Sequence, residues 1–571
     1  MAAPGVNGAP GVMPMPDLMM GSSRTMVTMM QFNQQKQDYD TCCDGKEVDT
    51  EEYKTAMAEC HERGAKRCVA VATMHRGLYV KAAQFIASLR GGTGDRGVPR
   101  PYTEALSVFT DHAPHKSVKE VAEVLKEAMF LGDWPATELE QISEPPAKKA
   151  KVDGDEPGPA DVQPQACALR SIEDEPLASA SLAQVHRAVL QDGTKVAVKV
   201  QYPDLRKEMA SDFAVFKTMG AQIKQMSDGY DLMWIVEDFE KHLKRELDFE
   251  IEARSGEETA AQLAHLAPRV FVPKVFKEFS SQRVLTMEFC DGLIKANEPA
   301  ALIAHGLDVQ ECGDLICETF AEMIFVRGRV HADPHAGNIY IRVLREGGGR
   351  PRPQLVLLDH GLYHDLSEND VRLYFCRYWK ACCAKDSATM AEIGKRFAGA
   401  LCRFLPLILS PWFVFGASGV SLQEIISASK GQLPDTIKMR DVADFVVATR
   451  EGGANLVGLL HALGYTRGLL EALAFPEGRR VEIMLKYAMI GDSPSPPLQP
   501  QGLSPGEWAW VRWRMTLLSG HIRVMSCLAQ PLIRYAKAEK APPLWCIASV
   551  PMLCLAVSVG AVVAYTRSRS S

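Results

Sequence analysis

Three short stretches hold side chains whose types and spacing suit work on a metal-bound phosphate chain. In Thr194-Lys-Val-Ala-Val-Lys-Val200 the strand period of two puts Val196, Val198 and Val200 on one face and Ala197 and Lys199 on the other. A lysine projecting from a strand beside a small alanine leaves room for a flat adenine and carries an ammonium to phosphate oxygens. In Val330-His-Ala-Asp-Pro-His-Ala-Gly-Asn-Ile-Tyr340, Asp333 and Asn338 stand five apart. That is the spacing at which an Asp orients an acceptor hydroxyl while an Asn holds Mg²⁺. In Gln354-Leu-Val-Leu-Leu-Asp-His-Gly361 an apolar strand ends in Asp359, with a glycine one residue beyond. A strand-end carboxylate is well placed to hold Mg²⁺ against phosphates.

Each stretch has a plainer explanation when taken alone. A lysine at a sheet edge accounts for the first, an Asp-x-Gly turn for the third. His331 and His335 are four apart and with Asp333 could form a zinc site on a helix face. Pro334 and Gly337 disfavour a regular helix there, so the loop reading is preferred. All three stretches in this chain order point to a Mg²⁺–nucleotide site on a kinase-like fold.

The elements that must position these residues follow from periodicity. Strands are expected at Leu182–Leu190 and Lys195–Gln201, joined by the turn signal Gln191-Asp-Gly-Thr194. Further strands are expected at Val270–Val275 and Arg283–Phe289, and a hairpin with an enlarged loop at Asn338–Asp359. Apolar spacing predicts helices over Ala56–Leu89, Ser117–Leu131, Lys207–Gln225 and Leu232–Arg254, with mostly helical sequence after Ala300. Residues 1–50 are read as a disordered N-terminus: the first part is rich in Gly, Pro, Met and Ala, and Asp17 and Arg24 are its only charges before Lys36. Residues 144–170 read as a disordered linker; the Pro145-Pro-Ala-Lys-Lys-Ala-Lys-Val152 run within them has the look of a nuclear import signal but is explained by a solvated charge run. Leu544–Tyr565 is an uncharged run of 22 residues, which at about 1.5 Å per residue spans a hydrocarbon core of about 30 Å.

Composition sets outer bounds. The chain has 571 residues, 47% hydrophobic and 23% charged, enough for several cores. A formal net charge of −6 argues against a dedicated nucleic-acid binder. Fifteen cysteines include no CxxC pair, and the doublets Cys42–Cys43 and Cys382–Cys383 lack zinc-site spacing, so reduced thiols are expected. No basic stretch followed by an apolar run marks a secretory signal; the acid-poor start is like an organellar transit peptide but lacks its arginines.

Two features depart from ordinary protein kinases. Pro176-Leu-Ala-Ser-Ala-Ser-Leu-Ala-Gln-Val-His186 stands where a glycine-rich loop would cover phosphates, and no Ala-Pro-Glu anchor follows Asp359. With these motifs the sequence resembles the UbiB or aarF-domain atypical kinase family, over roughly residues 51–420. Lys81-Ala-Ala-Gln84 matches the family's KxGQ, Ala178-Ser-Ala-Ser181 its alanine-rich loop, Glu246-Leu-Asp248 its ExD, and His331 to Asn338 its HxDPHxGN. Asp359-His-Gly-Leu-Tyr363 with Phe404-Leu-Pro-Leu-Ile408 is most similar to the mitochondrial branch that carries DHG. Ala83 replaces the glycine of KxGQ, Ser179 the second loop alanine, and Ala183 a glycine before Gln184.

The resemblance implies an α+β, bilobal protein-kinase-like fold with an N-terminal helical extension (51–143), an N-lobe (171–292), a helical C-lobe with its C-terminal extension (293–540), and a transmembrane helix (544–565). It implies binding of ATP or ADP with Mg²⁺. Lys199 would contact phosphates, Asp333 would be the base, and Asn338 and Asp359 would hold Mg²⁺. Glu252 would be the helix partner of Lys199. Ala178, Ser179, Ala180, Ser181 and Ala197 would line the nucleotide, with Met287, Glu288, Phe289 and Cys290 as the hinge beside adenine. Lys81 and Gln84 would act as regulatory residues engaging Glu246 and Asp248. Asp248 and Glu252, four apart, are expected on one helix face. The resemblance further implies a mitochondrial membrane location (a plastid or another organelle's outer membrane being alternatives), membrane lipid and lipid-biosynthesis proteins as partners, no nucleic acid, and a role in prenylquinone (coenzyme Q) or lipid metabolism. A protein kinase with a peptide substrate and a nucleotide-gated scaffold are the competing functions.

Overall fold

Two units divide the chain, one of Met1–Phe249 with Lys277–Thr286, the other of Glu250–Phe276 with Met287–Ser571. The computed structural model describes residues 17–47, 50–88, 99–109, 116–129, 168–180, 182–203, 205–226, 233–345, 349–399, 402–403, 405–410, 413, 456–494, 496 and 503–518.

In the first unit the expected strands form an antiparallel sheet. Its strands are β1 (Leu169–Ile172), β2 (Ala178–Ser179), β3 (Ala183–Leu190), β4 (Lys195–Gln201) and β5 (Val284–Glu288), ordered β1-β3-β4-β5 with β2 also on β3. The β3–β4 register runs from Ala183↔Gln201 to Val189↔Lys195, closed by a turn in which Gly193 takes φ +89°. Val196, Val198 and Val200 are fully buried, as the alternation requires.

Helices of this unit are α1 (Asp17–Cys42), α2 (Glu51–His75), α3 (Gly77–Ser88), α4 (Arg100–Leu106), α5 (Val118–Met129), α6 (Leu205–Met226) and α7 (Met233–Glu246). Three expectations change here. Residues 17–42 are helical rather than disordered, because one cation fixes them: Arg24 pairs with Glu208 at 2.9 Å and with the buried Asp212 at 2.7 Å, and donates to the His75 carbonyl at 3.1 Å. The single helix expected over Ala56–Leu89 breaks at Arg76 (φ +57°) and Gly77 (φ +46°), a geometry glycine tolerates. The helix expected over Leu232–Arg254 stops at Glu246 and restarts as α8 (Phe249–Gln262). Asp248 lies in the interruption, just ahead of α8, so it and Glu252 do not share one helix face. Leu78, Leu182, Leu205, Phe213, Phe239, Leu243 and Leu247 form one buried cluster that binds α3, α6 and α7 to the sheet's edge.

The second unit holds α8 from Glu250 onward, α9 (Val309–Ala321), α10 (Val371–Ala384), α11 (Ser387–Ala398), α12 (Leu456–Ala472) and α13 (Glu477–Gly491). Its strands are β6 (Arg329–His331), β7 (Ile339–Leu344), β8 (Arg352–Leu357) and β9 (Tyr363–Asp365). β7 and β8 form the expected hairpin, extended by the short strands Val270–Phe271 on β8 and Ile294–Lys295 on β7. β6 pairs with β9. A six-residue π-turn, Glu322–Arg327, feeds β6. Its wider turn lets residues five apart meet: fully buried Glu322 takes Arg327 at 2.7 Å, and also His265 at 2.9 Å. The core beneath is aromatic, with Phe325 stacked on Phe375 and Trp379 edge-on to Phe325.

Among the described residues no helix is long and apolar enough to cross a membrane. The run Leu544–Tyr565, residues 144–167 of the expected linker and residues 1–16 lie outside the described residues; the end of that linker, Leu169 and Arg170, is not disordered but already belongs to β1.

Candidate active site

In the second unit, the chain leaving β6 cannot continue as a helix because Pro334 follows Asp333 directly. Residues 332–338 instead form bends and a turn, in which the Asn338 N–H meets the His335 carbonyl at 2.9 Å. Asn338 Nδ2 donates to the Asp333 carbonyl at 3.0 Å. That commits the amide nitrogen, so the amide oxygen is the atom that could coordinate a cation. The Leu358 N–H donates to the Asn338 carbonyl at 2.9 Å, which locks this loop to the end of β8.

Asp359 follows with φ +55°, a backbone state that side chains other than glycine seldom take. A local bond compensates: Asp359 Oδ1 accepts the Gly361 N–H at 3.2 Å. Gly361 sits between two carboxylates. A Cβ there would lie 3.3 Å from Asp359 Oδ1 and 3.7 Å from Glu252 Oε2. Glu252 is 3% exposed. The second unit therefore brings Glu252, Asp333, Asn338 and Asp359 into one neighbourhood.

Two neutral histidines support that neighbourhood. His331 Nε2 donates to the Leu358 carbonyl at 3.4 Å, and its Nδ1 accepts the Asp333 N–H at 3.2 Å. Both ring nitrogens are occupied, so the zinc reading of His331 and His335 fails on this geometry; among the described residues no metal-binding cluster of three such side chains occurs. Burial lowers the His331 pKa although Asp359 and Asp333 oppose it. His360 donates from Nε2 to the Leu357 carbonyl at 3.2 Å and accepts the Tyr363 hydroxyl at 2.7 Å on Nδ1. Burial, with the neighbouring His331, pushes its pKa down to about 3. Its ring backs onto Gly256 of α8, where a Cβ would come within 3.3 Å of Cδ2. Arg329 fastens the same helix: it bonds Thr259 at 2.9 Å, pairs with Glu258 at 3.2 Å and lies over the Tyr363 ring at 3.9 Å. The helix carrying Glu252 is thus held to the strand leading into Asp333.

The first unit carries the other expected residues. Lys199 and Ala197 share the less buried face of β4. The Lys199 ammonium lies 5.1 Å from the Phe249 ring centroid. The alanine-rich segment is a tight hairpin: Ala178 and Ser179 pair with Val185 and Gln184, and the Ala180 N–H meets the Ala183 carbonyl at 2.8 Å. Ser181 lies outside the described residues. Lys81 forms an ion pair with Glu246. Gln84 turns elsewhere, donating to the Phe109 carbonyl at 2.8 Å. Met287 and Glu288 end β5 and, in the second unit, bridge to Val275 and Lys274. Phe289 and Cys290 follow, with burial raising the Cys290 thiol to about 11.

Sequence reasoning missed one network here. Fully buried Gln184 clasps the Lys116 backbone at both ends, Oε1 accepting its N–H and Nε2 donating to its carbonyl, each at 2.8 Å. Nε2 also meets His186 Nε2 at 2.8 Å, and His186 Nδ1 meets the Glu173 carbonyl at 2.8 Å. A carbonyl only accepts, so His186 is protonated on Nδ1 and receives from Gln184 on Nε2. The polar pair at alternate positions of β3 was the available signal.

Residues 162–394 match the family profile described as ABC1 atypical kinase-like domain. This chain carries an ABC1/AarF atypical kinase domain. The ABC1 match spans all of β1–β9. Outside it the likeness extends further. AarF domain-containing protein kinase 1 of Gallus gallus is 33% identical over 359 residues, 63% of this chain and 61% of that protein. Probable serine/threonine-protein kinase abkD of Dictyostelium discoideum is 34% identical over 441 residues, 77% of this chain and 57% of that one. The chain thus spans about three fifths of the length of these curated relatives. Among solved structures, the Rv3197–erythromycin complex from Mycobacterium tuberculosis aligns with a TM-score of 0.38 and 20% identity, covering 74% of this chain and 98% of that one.

Proposed function

We propose that this protein is a Mg²⁺- and nucleotide-dependent atypical kinase or ATPase of the UbiB type, serving prenylquinone or mitochondrial lipid metabolism at a membrane. The observation that carries the phosphoryl-transfer reading is the arrangement around Gly361. Asp359 in a strained backbone state lies beside Glu252 there, and Asn338, on the loop bonded to the end of β8, has its nitrogen committed to the Asp333 carbonyl. Asn338 and Asp359 would hold Mg²⁺, which when bound neutralises charge on the phosphate chain. Asp333 would take the proton from the acceptor hydroxyl, and Lys199 would contact the phosphates. The membrane and lipid parts of this reading rest on the family resemblance and on the uncharged run Leu544–Tyr565.

Phosphate release and radiolabel transfer from ATP test the assignment. Both should fall at least about a hundredfold on Asp333→Asn, within the range a positioned acid or base supplies. Unchanged turnover in that variant would refute the role of Asp333. Full rescue of a deletion strain by the same variant would favour the nucleotide-gated scaffold.

A further inference from the structure

Tyr202, one residue past the end of β4, reaches back to the alanine-rich hairpin of the same unit. The register pairs Ala183 with Gln201, so the next residue along the chain stands beside Leu182. Pro203 follows and biases the Tyr202 backbone to the extended form. From there Tyr202 grips the turn twice. Its N–H donates to the Leu182 carbonyl at 3.2 Å, and its hydroxyl donates to the Ala180 carbonyl at 3.2 Å. The two grips hold different legs. Leu182 is 5% exposed and belongs to the cluster that binds α3, α6 and α7 to the sheet. The other leg is β2, only two residues long, paired with β3 and preceded by the exposed Leu177. The hydroxyl is thus a side-chain tether on the less anchored leg. Its ring is steadied in turn: Gln184 clasps the Lys116 backbone, and the Lys116 ammonium lies 5.9 Å from the Tyr202 ring centroid.

We propose that Tyr202 is a positioning residue: by holding the Ala180 carbonyl it keeps the alanine-rich turn in the conformation that covers the nucleotide, and so sets how tightly nucleotide is held. This rests on the phosphoryl-transfer reading above, in which Ala178, Ser179 and Ala180 line the nucleotide. Glycine in such a turn admits many backbone states, and the loop can settle on a ligand after it arrives. Alanine and serine admit fewer, so the turn has to be shaped beforehand, and a tether from β4 does this without touching the ligand. A phenol stays neutral to about pH 10, so the donor is present at any working pH. β4 thus carries both Lys199 and, three residues on, the group that shapes the cover. A turn released from its tether spends a smaller fraction of time in the covering state, and affinity falls by that fraction. Tyr202 acts through the turn and not on the reacting atoms, so turnover of bound nucleotide does not follow it.

The test compares the full chain as wild type and as Tyr202→Phe, which keeps the ring and removes only the hydroxyl. Hydrogen–deuterium exchange without nucleotide reads the backbone of residues 177–185, and an equilibrium titration with Mg²⁺–ATP reads affinity. The variant should exchange about three- to tenfold faster across that segment and bind Mg²⁺–ATP about three- to tenfold more weakly, the range one neutral hydrogen bond supplies. Its kcat for phosphate release should stay within about twofold of wild type. If the ring serves packing alone, exchange and affinity both stay at the wild-type level, and the proposal is overturned. A change in either one without the other also overturns it, as does a fall in kcat with affinity unchanged. A wild type that binds no nucleotide overturns the phosphoryl-transfer reading and this proposal together. Wild-type binding that Tyr202→Phe matches overturns the proposal alone and leaves that reading standing.

Discussion

Replacing His360 with phenylalanine should flatten the acid side of the stability profile. His360 is 7% exposed, and its two ring nitrogens are engaged by Leu357 and Tyr363 in the form that carries a single proton. Its folded pKa of about 3 compares with an unfolded value of about 6.5. The unfolded chain therefore binds a proton at this position between those values and the folded chain does not. The stability held by the neutral ring is complete above pH about 6.5 and is lost as pH falls toward 3. At about 1.4 kcal/mol per pH unit, the loss is roughly 2 kcal/mol at pH 5. His331, whose ring centroid is 6.1 Å away, opposes any second charge and steepens the same limb. Phenylalanine adds one ring atom against Gly256, which lowers stability by about 1–3 kcal/mol at every pH, but it cannot titrate. Urea unfolding followed by tryptophan fluorescence at pH 7.5, 6 and 5 measures both effects. Wild type and variant should converge by roughly 2 kcal/mol between pH 7.5 and 5. Parallel profiles would show that His360 is not the buried neutral group described.

Other substitutions probe the supports of the site. Gln184→Ala leaves the Lys116 N–H and carbonyl and His186 Nε2 without their partner in a buried place; it should lower stability by about 2–4 kcal/mol in urea unfolding, with Gln184→Glu no better. Gly458→Ala should destabilise the protein by about 1–3 kcal/mol or displace α12, read as a drop in thermal midpoint, because the methyl group meets the His364 ring. A double-mutant cycle on Lys81→Ala and Glu246→Ala should give a coupling of no more than about 1 kcal/mol, since both side chains remain a quarter to a third exposed; a coupling of several kcal/mol would show the pair to be far better sheltered than its exposure indicates.

Those supports separate what sequence could reveal from what it could not. The β3–β4 hairpin was legible because three buried valines alternate with Ala197 and Lys199, and period two has no other explanation. The Asp333–Asn338 loop was legible because Pro334 and Gly337 exclude a helix. The helical state of residues 17–42 was not, since it depends on one arginine finding a buried carboxylate 188 positions away. The breaks at Arg76–Gly77 and Leu247–Asp248 escaped a periodicity that runs through them with no proline to mark the stop. His360 in place of phenylalanine is explained by what its ring meets in the fold, the Tyr363 hydroxyl and the Leu357 carbonyl on its two nitrogens and Gly256 of α8 behind it. Tyr465 on α12, whose ring meets that of His335 through tertiary packing, carries no motif at all.

A titration of the full chain with ATP and ADP, with and without Mg²⁺, in wild type and Asp359→Asn, tests the central claim most directly. Binding should tighten with Mg²⁺ in the wild type, and Asp359→Asn should lose at least about tenfold of the Mg²⁺-dependent affinity while keeping Mg²⁺-free binding. Wild-type binding indifferent to Mg²⁺, or an Asp359→Asn variant that binds Mg²⁺–nucleotide as the wild type does, would contradict the metal-bearing site built from Asn338 and Asp359.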